Sequence, residues 1–168
     1  MHPIKAILSA MLIASLTGCA SYQVTTKNSR SVSLDSNRPV YIALTQGEYP
    51  QENQEIQKAF VQEWKSYAVQ VIPLGSSSSL TQSIQTAKAL GDGYLVYPEV
   101  EQWEDHNTPW STIRDKIQVS VVLIDIKSDR ILDKSVLNGK STTWTMKNTS
   151  PSIILPNLVN HYIEPLYK

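Results

Sequence analysis

The chain has 168 residues, 41% of them hydrophobic, with 15 basic against 15 acidic side chains. That length suits one domain, and the balanced charge gives no electrostatic footing for nucleic acid. A single cysteine excludes an intramolecular disulfide framework and a cysteine-rich metal site.

Residues 1–18 begin with one positive charge at Lys5 and continue through an apolar stretch from Ala6 to Leu16. This is the layout of a secretory signal peptide, and the stretch falls short of the roughly 20 apolar residues a membrane span needs. A plain secretory signal with an incidental cysteine is the other reading of these residues. The run Leu16-Thr17-Gly18-Cys19 closely resembles the lipobox of bacterial lipoproteins. That resemblance implies cleavage before Cys19, a diacylglycerol on its sulfur and acylation of its new amino group. The lipid bilayer is then the first partner, and several acyl chains make the anchorage effectively permanent. Ala20 and Ser21 follow, not Asp, which in a Gram-negative cell implies the outer membrane, facing the periplasm. Loss of Lys5 with the signal leaves one more acidic than basic side chain and no free thiol.

Residues 20–38 are polar, with isolated apolar positions, and read as a flexible tether. Such a coil averages roughly 25 Å end to end and reaches ~65 Å when stretched. Residues 39–168 are then a single α/β domain.

Val40 to Leu44 form an uninterrupted apolar run, as a strand buried on both faces does. Pro50 opens a helix in which Ile56, Ala59, Phe60, Trp64 and Tyr67 share a face, with Glu52 and Glu55 early in it, where the helix dipole favours acids. Val69 to Leu74 is a second strand. Gly75 and four serines lead into a second helix, in which Ser79 and Gln82 fit a capping box and Leu80, Ile84 and Ala87 make the apolar stripe. Gly91 is placed to end this helix in the left-handed conformation. Tyr94 to Val100 is a third strand. The order β-α-β-α-β with short links predicts parallel strands. Ile117, Val119, Val121 and Leu123 alternate at first with Gln118 and Ser120, so this strand begins half-exposed. After the turn at Lys127–Arg130, Ile131 to Trp144 returns as the second arm of an antiparallel hairpin, with Gly139 a candidate bulge. Ser150-Pro151 starts a final helix, in which Pro156 introduces a kink or marks the true start and Pro165 ends it. The predicted fold is a mixed sheet of about five strands with helices on its faces.

Five segments together resemble a family of small bacterial lipoproteins known only as a domain of unknown function. They are Gly91-Asp92-Gly93-Tyr94, Trp103-Glu104-Asp105, Trp110-Ser111, Asp115-Lys116-Ile117 and Gly139-Lys140-Ser141. The layout resembles more distantly the amino-terminal domain of the translocation protein TolB, the curli-export lipoprotein and the lipoproteins that activate penicillin-binding proteins. Those resemblances imply an envelope protein that works by binding a protein partner.

The segment from Trp103 to Trp110 is the leading candidate site. Trp103, Glu104, Asp105, Asn107 and Trp110 read as a recognition loop for a partner or ligand, with indoles for stacking and carboxylates and an amide for hydrogen bonds. The alternative is an ordered connection whose tryptophans fold back on the sheet edge. Glu104, Asp105, His106 and Asp115 are metal-capable side chains, but no spaced ligand pair occurs and His161 is the only other histidine beyond the signal, so no metal and no cofactor is expected. The Ser76–Ser79 loop sits where α/β sheets bind anions, without a phosphate-loop pattern. Glu99 and Glu101 share a strand face, and no Gly-x-Ser-x-Gly elbow exposes a serine. The chain therefore reads as a non-catalytic envelope lipoprotein that binds a periplasmic or outer-membrane partner. Its alternatives are a small-molecule or cell-wall-sugar binder or hydrolase at the C-terminal edge of the sheet, and self-assembly through an exposed hairpin edge.

Overall fold

A computed structural model describes residues 21–26, 32–106, 114–141 and 150–168. In chain order the elements are β1 (Ser21–Thr26), β2 (Val40–Thr45), α1 (Pro50–Trp64), β3 (Val71–Ser77), α2 (Leu80–Leu90), β4 (Tyr94–Glu104), β5 (Lys116–Asp125), β6 (Arg130–Lys140) and α3 (Pro151–Ile163), followed by a 3₁₀ turn over Glu164–Tyr167. The expected mixed α/β sheet is present, with one strand more than anticipated: six strands in the order β1-β6-β5-β4-β2-β3. β2 pairs in parallel with β3 on one side and β4 on the other, whereas β4, β5, β6 and β1 run antiparallel in succession.

Alternation along the strands divides the core in two. On one face, Val40, Ile42, Val96, Val119, Val121 and Leu137 pack against Ile56, Phe60 and Trp64 of α1 and Ile154, Leu158 and Tyr162 of α3. Trp64, Phe60 and Tyr162 form an aromatic cluster with centroid separations of 6.1–6.3 Å. On the other face, Tyr41, Ala43, Leu95 and Ile124 lie under Ala87, Leu80 and Ile84 of α2. The helical stripes predicted for α1 and α2 are thus the packed ones.

Two predictions about glycine need correction. Gly91 does follow α2, but at φ 136 and ψ −166 it is not left-handed helical. Gly139 is not a bulge: it pairs in register with Ile117 and Tyr22. A Cβ there would lie 2.7 Å from Ile154 Cγ2 and 2.8 Å from Ile117 Cγ2, so the missing side chain is what lets α3 approach the sheet. The irregularities fall instead between Ile42 and Leu44, between Val100 and Gln102 and beside Ile124. At the other end of the chain, α3 starts at Pro151 and runs through Pro156, and the α-helix stops at Ile163, before Pro165.

The tether expected over residues 20–38 is also corrected. Ser21–Thr26 pairs with β6, because Tyr22 and Val24 alternate with polar residues and β6 offers an unpaired edge. The hairpin edge, the surface that the self-assembly alternative needs, is therefore covered by β1, and the outer strands are β1 and β3. Beyond β1, Leu34 is buried and its N–H donates to the Leu166 carbonyl at 2.8 Å, while the Val69 N–H donates to the Ser36 carbonyl at 2.9 Å. The packed unit thus starts before Pro39.

Candidate functional site

The last residues of β4, the first of β5 and the last of β6 meet at one end of the sheet. Glu104 pairs across to Lys116, and Lys116 across to Lys140. Lys116 Nζ lies 3.2 Å from Glu104 Oε2, and the Gln102 amide also donates to the Glu104 carboxylate. The Lys116 bond, followed by the Gln102 bond, outweighs desolvation and holds the Glu104 carboxyl below the usual glutamate range. Glu104 is consequently an ionised, half-exposed carboxylate. His106 Nε2 lies 3.7 Å from Glu104 Oε2, beyond hydrogen-bond distance.

Asp115 ties this end together. Its Oδ1 accepts from the His106 N–H at 2.7 Å, its own N–H donates to Ser141 Oγ at 3.0 Å, and the Ser141 N–H donates back to its carbonyl at 3.1 Å. At 4% exposure Asp115 is a buried brace between the two strand ends, a role visible only once β5 and β6 are paired. Trp103 is half-buried and packs on the α1/α3 face of the core, opposite Ile117. Asp105 is exposed. Trp103, Glu104 and Asp105 therefore share this end with their predicted neighbours His106 and Asp115, whereas Asn107, Trp110 and the predicted lipidation residue Cys19 lie outside the described residues. Among the described residues, no group of three or more His, Cys, Asp or Glu could hold a metal ion.

The serine run has a structural use. Ser79 Oγ accepts from the Gln82 N–H at 3.3 Å, the Ser78 N–H donates to Gln82 Oε1 at 3.0 Å, and Ser77 Oγ and Ser83 Oγ are 2.5 Å apart. This is the predicted N-cap, with the glutamine reaching back one residue further than a capping box requires. Glu101 is the extra residue at the β4 irregularity and accepts from the Gln118 amide, while Glu99 lies opposite Ser120.

Sequence reasoning missed a polar cluster at the opposite end. Arg38 Nη2 lies 2.6 Å from Asp92 Oδ1, 3.0 Å from Asp125 Oδ1 and 3.2 Å from the Gly93 carbonyl, and its guanidinium sits 4.2 Å from the Tyr94 ring centroid. The Arg38 hydrogen bond is the main reason that the Asp125 carboxyl titrates below its usual range. A second missed group is Asp133, buried beneath α3: its Oδ2 accepts from Ser135 Oγ at 2.6 Å and from the Tyr162 hydroxyl at 3.3 Å. Burial, reinforced by Asp133, raises the Tyr162 phenol well above its ordinary value and keeps it a donor. Neither cluster had a signal in local sequence, because both join residues that are distant along the chain.

A family model described as a domain of unknown function (DUF4823) matches residues 32–166. No curated protein matches the sequence. Among solved structures, the chain is similar to PelC from Paraburkholderia phytofirmans, described as a dodecamer, with a TM-score of 0.65 and 12% identity over 87% of this chain and 97% of that one. It is also similar to lipoprotein GNA1162 from Neisseria meningitidis, with a TM-score of 0.46 and 12% identity over 76% of this chain and 96% of that one. The likeness to PelC is one of fold.

Proposed function

Because this chain belongs to the DUF4823 family, whose description assigns no function, we propose a role from its own residues: a lipid-anchored envelope protein that binds a protein partner and performs no catalysis. The observation that carries this reading is the apolar stretch ending in Leu16-Thr17-Gly18-Cys19. Cys19 is the lipidated residue, and Ala20 and Ser21 after it assign the outer membrane, facing the periplasm. Anchoring concentrates the domain near other membrane-bound proteins without adding any contact.

The recognition segment is Trp103, Glu104 and Asp105, continued in sequence by Asn107 and Trp110. Its support is the exposed Asp105 beside the ionised Glu104, on a sheet end braced from beneath by Asp115. The dodecameric state of PelC adds a second copy of this chain to the partners worth seeking. The alternative reading, a small-molecule or sugar site at the C-terminal edge of the parallel strands, has the engagement of Ser77, Ser78 and Ser79 against it.

Mass spectrometry of the membrane fraction should find a mature chain beginning at acylated Cys19, and Cys19→Ser should block both processing and lipidation. A mature chain starting anywhere else would end the anchoring reading. Crosslinking in the envelope, followed by identification of the captured proteins, tests the partner. Capture that survives the combined Glu104→Gln and Asp105→Asn changes would remove this segment from the interface.

A further inference from the structure

β1 starts at Ser21, only two residues after Cys19. Two residues span at most ~7 Å. If Cys19 carries lipid, its acyl chains lie in hydrocarbon and its backbone at headgroup level, so the first residue of the sheet lies within about 7 Å of that level. The register then fixes what else lies there. Ser21 is opposite Lys140, Lys140 is opposite Lys116, and Lys116 is opposite Glu104. These four strand ends form one row, about 15 Å wide at the usual strand spacing.

We propose that this row, where β1 and β5 begin and β4 and β6 end, seats directly on phospholipid headgroups. The inference rests on the lipid-anchor reading of Cys19 and goes beyond it, because it sets how the domain stands: strands rising from the bilayer, the β5–β6 turn farthest from it. The occupant of the row is a phospholipid surface because the single residue between Cys19 and β1 leaves too little chain to lift Ser21 and the strand ends paired with it off the headgroups; a protein partner of Trp103–Asp105 is then one met at the membrane surface. Lys116 and Lys140 are balanced on and beside the row by Glu104 and Asp105, so the short link, more than net charge, seats it. Lys140 is exposed on the row, and Lys116 Nζ beside it is held by Glu104. The long stem of Lys140 lets its ammonium group reach headgroup phosphates while the strand ends stay above them.

The test uses the full lipidated protein in vesicles of phosphatidylethanolamine and phosphatidylglycerol that carry a trace of headgroup-nitroxide lipid. Cys19 is the only native cysteine, and its sulfur is blocked by lipid, so one introduced cysteine takes a fluorophore alone. Asp105→Cys labels the proposed contact end and Ser128→Cys the distal turn, both exposed and separated by roughly 30 Å along the strands. The label at 105 should be quenched several-fold more than the label at 128. Equal quenching in protein that floats with the vesicles overturns the seating and leaves the anchor standing. Failure to float overturns the anchor itself. Insertion of about twelve Gly/Ser residues between Ala20 and Ser21 leaves the fold untouched and adds a reach of ~20 Å. It should reduce the contrast towards unity, and a contrast that persists would show that the short link does not set the stance.

Discussion

The two ends of the sheet treat charge differently. At the end where β2 and β4 begin, Arg38 closes on Asp92, Asp125 and the Gly93 carbonyl and lies over Tyr94, so that most of its polar contacts are made within the protein, with Nε buried and unpaired among the described residues and Asp92 half-exposed. At the end where β4 finishes, the brace of Asp115 is the buried part, and the Glu104–Lys116 pair lies at the rim. Glu104, Asp105, Lys116 and Lys140 remain in reach of solvent. A network closed largely within the protein serves the fold, whereas charge left at a rim supports recognition more than stability. The contrast accords with the recognition role proposed for the open end and predicts that stability is concentrated at the closed one.

The largest effect should come from glycines that allow close approach. A Cβ on Gly93 would lie 2.4 Å from the Pro39 carbonyl oxygen, a backbone atom that also accepts from the Tyr94 N–H at 2.9 Å. Since that carbonyl cannot turn aside without losing the strand pairing, Gly93→Ala should cost about 3 kcal/mol or more. The comparable change near the open end, Gly139→Ala, meets methyl groups of Ile154 and Ile117 that can shift, and should cost about 1–3 kcal/mol. Urea unfolding of the two variants checks the order. A Gly139 variant less stable than the Gly93 variant would break the comparison.

Arg38→Ala comes next. Asp125 is 20% exposed and Arg38 23%, so the loss of a fully buried pair must be discounted for solvent, leaving about 2 kcal/mol. The same cluster sets a pH dependence. The Asp125 carboxyl titrates below its ordinary 3.8 in the folded state, so its stabilisation is complete above that value and is lost as pH falls through the lower folded value. Stability should therefore decline in acid below about pH 4. In Arg38→Ala that part of the decline should be smaller, as unfolding curves from pH 5 to pH 2 would reveal.

What the sequence disclosed follows from how local each feature is. The α1 and α2 stripes, the Ser79 cap and the hairpin strands lie within single windows and were legible. β1 was not, because Ser-Tyr-Gln-Val-Thr-Thr has only two apolar residues and becomes a strand through pairing with β6, more than a hundred residues away. The Arg38 cluster joins residues 38, 92 and 125, and its distance along the chain hid it in what read as a tether. At the candidate site, the stretch Trp103–Asp105 was legible as unusual. The pairing of Glu104 with Lys116 and the brace through Asp115 and Ser141 emerge only from the β4–β5–β6 register.

Trp103 sharpens the contrast at an intermediate scale. Its indole is half-buried on the core face, so Trp103→Ala should cost about 1–2 kcal/mol, below the 3–5 kcal/mol of a fully buried tryptophan. Thermal melting beside partner capture separates its two uses. A small loss of stability with capture abolished assigns the exposed part of the ring to recognition. A loss equal to that of a core tryptophan assigns the residue to the fold.

The smallest effect on stability belongs to Glu104. Its bond to Lys116 lies at the rim, where such pairs contribute little, because two long side chains must be fixed in a solvent that already satisfies both. Lys116 holds the carboxyl below the usual glutamate range, so the pair gives no stability transition of its own near neutral pH. Glu104→Gln keeps the shape and an oxygen able to accept from Lys116, and removes the charge alone. The urea midpoint should therefore stay within experimental error of the parent, and hydrogen exchange in β4 and β5 should be unchanged. Partner capture, if it uses this carboxylate, should weaken. A clear drop in the urea midpoint would mean that the open end supports the fold as much as the Arg38 end does, and the separation of a structural from a recognising end would not stand.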